Sequence, residues 1–301
     1  MIWDEEVDVV CTGSGVAGLA SAISAVDVGG TVFVADSSGD LADETPFRAR
    51  DHRLHPWLGV DVADLETNDY FAELSADLGP LSRSTWDIDV PIRVVEQRVR
   101  VDAGRTVAPF VGARLRDWAA RCLASPYGYL YTRVSDWQST TLYSSDGEAI
   151  EVAEIGSMTP EPGNVSGSVY EWLAAQARDR LIDVNPGSSL QRIVFEDGSV
   201  VGAVFTTPDG LLAIRARHGV LVATGGPQVN GAAQHQFPAG DTALRVCLVG
   251  QTASRFGRVE LLTSEPFHPP ATSTCRPVSR QLHVNLHETH AHSHTWRCGK
   301  V

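Results

Sequence analysis

The apolar positions fall into runs with different periods. Val7 to Val10 is a short, β-branched apolar run that predicts a buried strand, and it leads through Cys11-Thr12 into Gly13-Ser14-Gly15-Val16-Ala17-Gly18. Leu19 to Ile23 then has helical spacing, Gly29-Gly30 ends the helix, and Thr31 to Ala35 predicts a second buried strand with Asp36 at its carboxyl end. These elements make a β-α-β unit. Ser37 to Trp57 is polar and without period and reads as loop. Further on, Asp64 to Leu78 and Leu115 to Leu123 have helical spacing, Val90 to Val101 reads as strand, and the signal around Tyr127, Tyr129 and Tyr131 is mixed.

The second half is more regular. A helix is expected from Val169 to Arg180, followed by strands at Leu190 to Phe195 and Val200 to Phe205 around the tight turn Glu196-Asp197-Gly198-Ser199, the signature of a hairpin. Leu211 to Ala216 adds a third antiparallel strand, Gly219 to Ala223 reads as a buried strand ending in Thr224-Gly225-Gly226, and Asp241 to Val249 reads as a helix. From Cys275 onward apolar periodicity stops, and five of the ten histidines crowd between His283 and His294. The fold class expected is α/β: a Rossmann-like domain over residues 1–274 with a parallel sheet, an inserted segment at about 45–165, an antiparallel hairpin or meander, and an irregular tail over 275–301.

Composition adds exclusions. Hydrophobic residues are 43% and charged residues 20% of the 301, which is ordinary globular usage. The net charge of −13 disfavours nucleic acid and anionic membrane surfaces as partners. No apolar run is long enough to span a bilayer, and the acidic start from Met1 to Glu6 lacks the character of a secretory signal, so a cytoplasmic protein acting on a small molecule is expected. Five scattered cysteines, with no C-x-x-C pair, argue against a disulfide framework or a zinc ribbon.

The glycine turn carries the chemistry. A diphosphate must be met by backbone amides at a helix N-terminus, so side chains have to be absent where it approaches. Gly13 permits the turn, Gly15 the approach of the diphosphate, and Gly18 close packing of helix on strand; Ser14, Val16 and Ala17 complete the loop, and Asp36, next to Ser37, would accept hydrogen bonds from ribose hydroxyls.

Around residues 5 to 40 and 168 to 270 the chain resembles the flavoprotein family of fumarate reductases, succinate dehydrogenases and 3-ketosteroid dehydrogenases. The resemblance rests on the helix before Ser189-Leu190, the hairpin, the strand ending Ala223-Thr224-Gly225-Gly226, and Gly240-Asp241-Thr242, where the family has G-D-G. It implies FAD as cofactor, with Leu190, Ala223, Thr224, Gly225 and Asp241 as further contacts. Phe267-His268-Pro269-Pro270 resembles the family's F-H-P-T segment, which implies a substrate contact for His268. The resemblance also implies a cap domain and a final strand beyond that segment, which this chain does not continue into, so no general acid or base is assigned.

The expected activity is that of an FAD-dependent dehydrogenase or reductase, moving hydride between flavin N5 and a carbon next to a carbonyl in a ketosteroid-like or dicarboxylate substrate. The alternative is a truncated, non-catalytic flavin-binding remnant or subunit; an NAD-dependent dehydrogenase ranks behind both. The histidine-rich tail reads as disordered rather than metal-binding. Arg48, Arg50, His52, Arg53 and His55 read as a solvated loop, and Trp118, Tyr127, Tyr129, Tyr131 and Trp137 as core.

Overall fold

The computed structural model describes residues 2–37, 62–79, 89–96, 111–133, 139–145, 147–225 and 243–265. In chain order the elements are β1 (Glu5–Cys11), α1 (Val16–Asp27), β2 (Val32–Asp36), α2 (Leu65–Ser75), β3 (Ile92–Glu96), α3 (Val111–Ala124), β4 (Gly128–Tyr131), β5 (Thr140–Ser144) and β6 (Ala149–Met158). There follow α4 (Val165–Asp179), β7 (Val184–Pro186), β8 (Ser189–Glu196), β9 (Ser199–Thr207), β10 (Gly210–Ala223), β11 (Leu244–Gly250) and β12 (Phe256–Thr263).

The expected β-α-β unit is present. Strand β1 runs parallel to β2, with Val9 opposite Val32 and Cys11 opposite Val34, and parallel to β10 on its other side, with Cys11 opposite Leu221. Strand β7 extends this parallel layer beyond β2. Both faces of the layer are buried, which explains the continuous apolar run in β1. Val9, Cys11 and Val34 pack with α1 and α4, whereas Val10, Phe33 and Ala35 pack with Phe71 of α2 and Phe205 of β9. A register shift between Val7 and Val9 turns Val7 to the second of these faces.

The hairpin forms as predicted: β8 and β9 are antiparallel, and Asp197 and Gly198 both take positive φ, 50° and 72°, as a type I′ turn requires. Helix α2 starts where the Asp64 carboxylate accepts the Thr67 backbone N–H at 2.9 Å. The two strands read at Leu211–Ala216 and Gly219–Ala223 are one strand, β10, antiparallel to β9 from Gly210 to Arg215 and parallel to β1 from Ile214 to Leu221.

Two expectations are corrected. The helix read from Asp241 to Val249 is strand β11 over Leu244–Gly250. Leu244, Val246 and Leu248 join the α1/α4 core while Cys247 and Val249 join a separate cluster with Trp118, a period of two with both faces buried. A short apolar run of that kind cannot be told from a buried helix by periodicity.

The sheet is also less parallel than expected. Strands β11, β6, β5, β3 and β12 pair in sequence, and β12 pairs back to β11, so these five close into a barrel. Only the β3–β12 contact in that ring is parallel. Phe256, Gly257 and Arg258 of β12 also pair with β4, which joins the barrel to the parallel layer through β10. Among the described residues the fold is thus a mixed, strand-rich sheet with four helices. No helix among them is long and apolar enough to cross a membrane.

Candidate functional site

Strand β1 delivers the chain to the glycine turn, where the Thr12 N–H donates to the Leu221 carbonyl at 2.9 Å and so ties the turn to β10. The first turn of α1 begins with Leu19 N–H donating to the Gly15 carbonyl at 2.9 Å. The amides of Val16, Ala17 and Gly18 therefore have no acceptor within the helix. No side chain caps them, and the first turn carries no acidic residue. The positive end of α1 is left to whatever lies beyond Gly15.

The three glycines are not equivalent. A Cβ on Gly18 would overlap the Gly13 carbonyl oxygen, so the fold itself demands glycine there. A Cβ on Gly13 would meet the Ala223 Cβ at 3.4 Å, ordinary contact, which shows how closely the end of β10 approaches the turn. Gly15 differs. It is exposed, its backbone lies at φ −72° and ψ −174°, open to any residue, and a Cβ would have nothing within 4 Å. Among the described residues, no packing contact calls for glycine at 15.

The adenosine-side candidates also converge. Asp36 ends β2, and its backbone carbonyl accepts the Ser188 N–H at 2.9 Å, directly before Ser189 and Leu190 open β8. Ser37 is exposed beside it, and the Leu190 side chain is buried against the second core. Ala223 is held beside the turn, as above.

Thr224 behaves differently from its reading as a contact residue alone. Its hydroxyl donates towards the Ser125 and Gly128 carbonyls at 2.6 and 2.9 Å, and its N–H donates to Gly128 at 3.0 Å. It clamps the end of β10 onto the α3–β4 turn. A Cβ on Gly225 would lie 2.6 Å from the Pro126 carbonyl, so the same turn explains that glycine. Asp241, His268, the basic segment 48–55, Trp137 and the histidine-rich tail lie outside the described residues. Of the aromatic group, Trp118, Tyr127 and Tyr131 are buried; Trp118 Nε1 donates to the Phe256 carbonyl at 2.8 Å, and Tyr127 Oη donates to Ser166 Oγ at 2.6 Å.

Sequence reasoning missed an ion cluster at the barrel. Glu260 has no solvent exposure; it accepts from Arg93 Nε and Nη2 at 2.6 and 2.9 Å and from Arg258 Nε at 2.6 Å. Arg93 Nη1 also donates to Glu148 at 2.9 Å. Burial works to raise the Glu260 carboxyl, but the two guanidiniums outweigh it together and hold the group below its ordinary value. Arg93 and Glu260 are 167 positions apart, so no local pattern could have paired them. The buried Cys11 thiol is pushed up to about 12 by desolvation, which makes it inert.

Helix amides without an acceptor among the described residues, beside a close-packed glycine turn and with an acid at the end of the next strand, match the arrangement by which dinucleotide-binding proteins hold a diphosphate. The chain belongs to the FAD binding domain family, whose model matches residues 111–273, more than half its length. That match starts beyond the glycine turn, so the turn is read from its own geometry. Among curated proteins nothing matches.

Solved structures similar to this chain include the open form of a flavocytochrome c3 fumarate reductase, 17% identical, covering 71% of this chain and 33% of that one, with a TM-score of 0.28. Another is 3-ketosteroid-Δ4-(5α)-dehydrogenase from Rhodococcus jostii in complex with 4-androstene-3,17-dione, 19% identical, covering 73% and 46%, at 0.31. A third is aklavinone-11 hydroxylase with FAD and aklavinone, 22% identical, covering 72% and 32%, at 0.28. The matched region spans less than half the length of each of these proteins.

Proposed function

We propose that the turn from Gly13 to Gly18 holds the diphosphate of FAD, with Asp36 and Ser37 towards the adenosine ribose, the backbone at Leu190 beside the adenine, and residues 223–225 and Asp241 completing the contact. In this reading residues 1–274 are one Rossmann-like FAD-binding domain with an inserted segment at about 45–165, and the protein is an FAD-dependent oxidoreductase. The observation that carries it is Gly15: a position where no described residue opposes a side chain carries none, at the mouth of a helix whose first amides have no acceptor among the described residues.

When bound, the flavin supplies the hydride chemistry. The chain's part is binding and orientation. The amides of Val16 to Gly18 face the negative diphosphate, Asp36 fixes the ribose end, and the Thr224 clamp sets how the end of β10 meets the turn. The substrate class put forward is a ketosteroid-like or dicarboxylate compound reacting at a carbon next to its carbonyl. His268 is the candidate substrate contact, and the acid or base for carbon is not assigned to this chain.

The test is the visible spectrum of the purified protein mixed with FAD, followed by anaerobic addition of a saturated ketosteroid or of succinate. Stoichiometric uptake with bleaching by one of them is expected. Protein that stays colourless overturns the whole reading. A loaded flavin that no donor bleaches leaves the binding site standing and favours a flavin-binding subunit without turnover.

A further inference from the structure

On the α1 face of the sheet, a cavity of about 290 Å3 opens between β4 and β10 on one side and the barrel strands β6 and β11 on the other. None of residues 13–18, 36–37 or 223–225 lines it. Its apolar walls include Leu221, Leu248 and the ring of Tyr129. Ser21 of α1 also lines it; that residue is 1% exposed, and its Oγ has no hydrogen-bond partner. A hydroxyl buried without a partner is a costly thing for a core to keep. The cavity is the side from which a partner can come.

Two arginines line the same cavity, Arg133 half-buried and Arg255 exposed. Arg133 donates only to backbone carbonyls, to Val200 at 2.9 and 3.2 Å and to Arg217 at 2.9 Å, while Arg255 reaches the Tyr70 hydroxyl at 3.5 Å. Among the described residues neither meets a carboxylate. Glu151 also lines the cavity, but its oxygens are taken by the hydroxyls of Ser139 at 2.8 Å, Thr141 at 3.4 Å and Thr252 at 2.7 Å. Among the described residues, two guanidiniums against one carboxylate leave a positive surplus, in a chain whose net charge is −13.

We propose that this cavity is a second small-molecule site, separate from the glycine turn, that takes a compact organic anion. Its apolar ring lies between Leu221, Leu248 and Tyr129, a polar atom meets Ser21 Oγ, and its negative group faces Arg133 and Arg255. At roughly 30 Å3 per water, the volume equals about ten waters, which suits a one- or two-ring compound.

The experiment compares benzoate, benzamide and benzylamine, which share a ring and differ in charge, titrated calorimetrically into the full chain. Benzoate is expected to saturate one site and to bind at least about tenfold tighter than benzamide, with benzylamine weakest. Arg255→Gln should bring benzoate to within about twofold of benzamide, and Ser21→Ala should weaken 4-hydroxybenzoate, whose hydroxyl can meet Ser21 Oγ, by on the order of fivefold while sparing benzoate. Arg133→Gln also loses the ties to Val200 and Arg217, so Arg255→Gln is the deciding variant. Equal binding of benzoate and benzamide, an unchanged benzoate affinity in Arg255→Gln, or no saturable binding of any of the three at millimolar concentration overturns the site. Because the glycine turn takes no part, benzoate binding should be the same with and without FAD, and its failure would leave the FAD reading untouched.

Discussion

Replacing Gly15 with Asp separates a ligand's demand for glycine from the fold's own. Gly15 is the N-cap of α1, in an extended conformation any residue adopts, with open space where a Cβ would go. Asp is among the best N-cap residues, better than Gly by a few tenths of a kcal/mol, and its charge at a helix N-terminus adds about 0.3–1 kcal/mol. The FAD-free protein should therefore gain on the order of 0.5–1 kcal/mol, a rise in Tm of about 1–3 °C for a chain of this size. The effect on FAD runs the other way. A carboxylate roughly 5 Å from a phosphate, at an effective dielectric of about 20, opposes it by about 3 kcal/mol for each phosphate charge, a loss of two orders of magnitude or more in affinity. Calorimetric titration with FAD, paired with melting of the FAD-free chain, reads both numbers. Gly15→Ser, a good cap without charge, measures the steric part alone. Wild-type FAD affinity in Gly15→Asp refutes the placement of the diphosphate; a Tm lower by several degrees refutes the claim that the fold does not need this glycine.

Gly18→Ala should do the opposite of Gly15→Asp: its Cβ collides with the Gly13 carbonyl, so the FAD-free chain should lose about 3 kcal/mol or more in urea unfolding, and an unchanged midpoint would contradict the packing. Thr224→Val takes the hydroxyl from the Ser125 carbonyl and leaves the Gly128 carbonyl only the Thr224 N–H from this residue, which should cost about 1–3 kcal/mol by the same assay, while Thr224→Ser restores most of it. Glu260→Gln leaves Arg93 and Arg258 without their buried carboxylate and should cost about 3–5 kcal/mol. The native Glu260 carboxyl sits below its ordinary 4.5, so its contribution is complete above 4.5 and is lost as pH falls through the depressed native value. Urea midpoints followed from neutral pH down should fall there in the wild type, and parallel curves for Glu260→Gln would show that this carboxyl is not the group responsible.

The parts of the fold legible in the sequence are those that local chemistry specifies. A glycine turn between a β-branched run and a helical run, an Asp-Gly turn between two apolar runs, and the helical spacing from Asp64 to Leu78 each carry their reason within a few residues. The barrel has no such reason. Its closure pairs β3 with β12 and β6 with β11 across more than eighty positions, and the short strand Leu244–Gly250, buried on both faces, offers neither alternation nor a cap to separate it from a helix.

The same distinction runs through the candidate site. Gly13 and Gly18 have reasons inside the structure, a neighbouring Ala223 and a carbonyl oxygen, that the motif alone could not divide from a ligand's reasons. Thr224 has one as well, because its hydroxyl serves a turn ninety-six positions earlier in the chain. Once those are removed, what is left of the glycine motif for a ligand to explain is narrow: one open glycine and three amides at the start of α1. The weight of the functional reading therefore rests on Gly15 rather than on the motif as a whole, and a substitution that spares the fold while closing that space bears on the reading more directly than any change at Gly13 or Gly18.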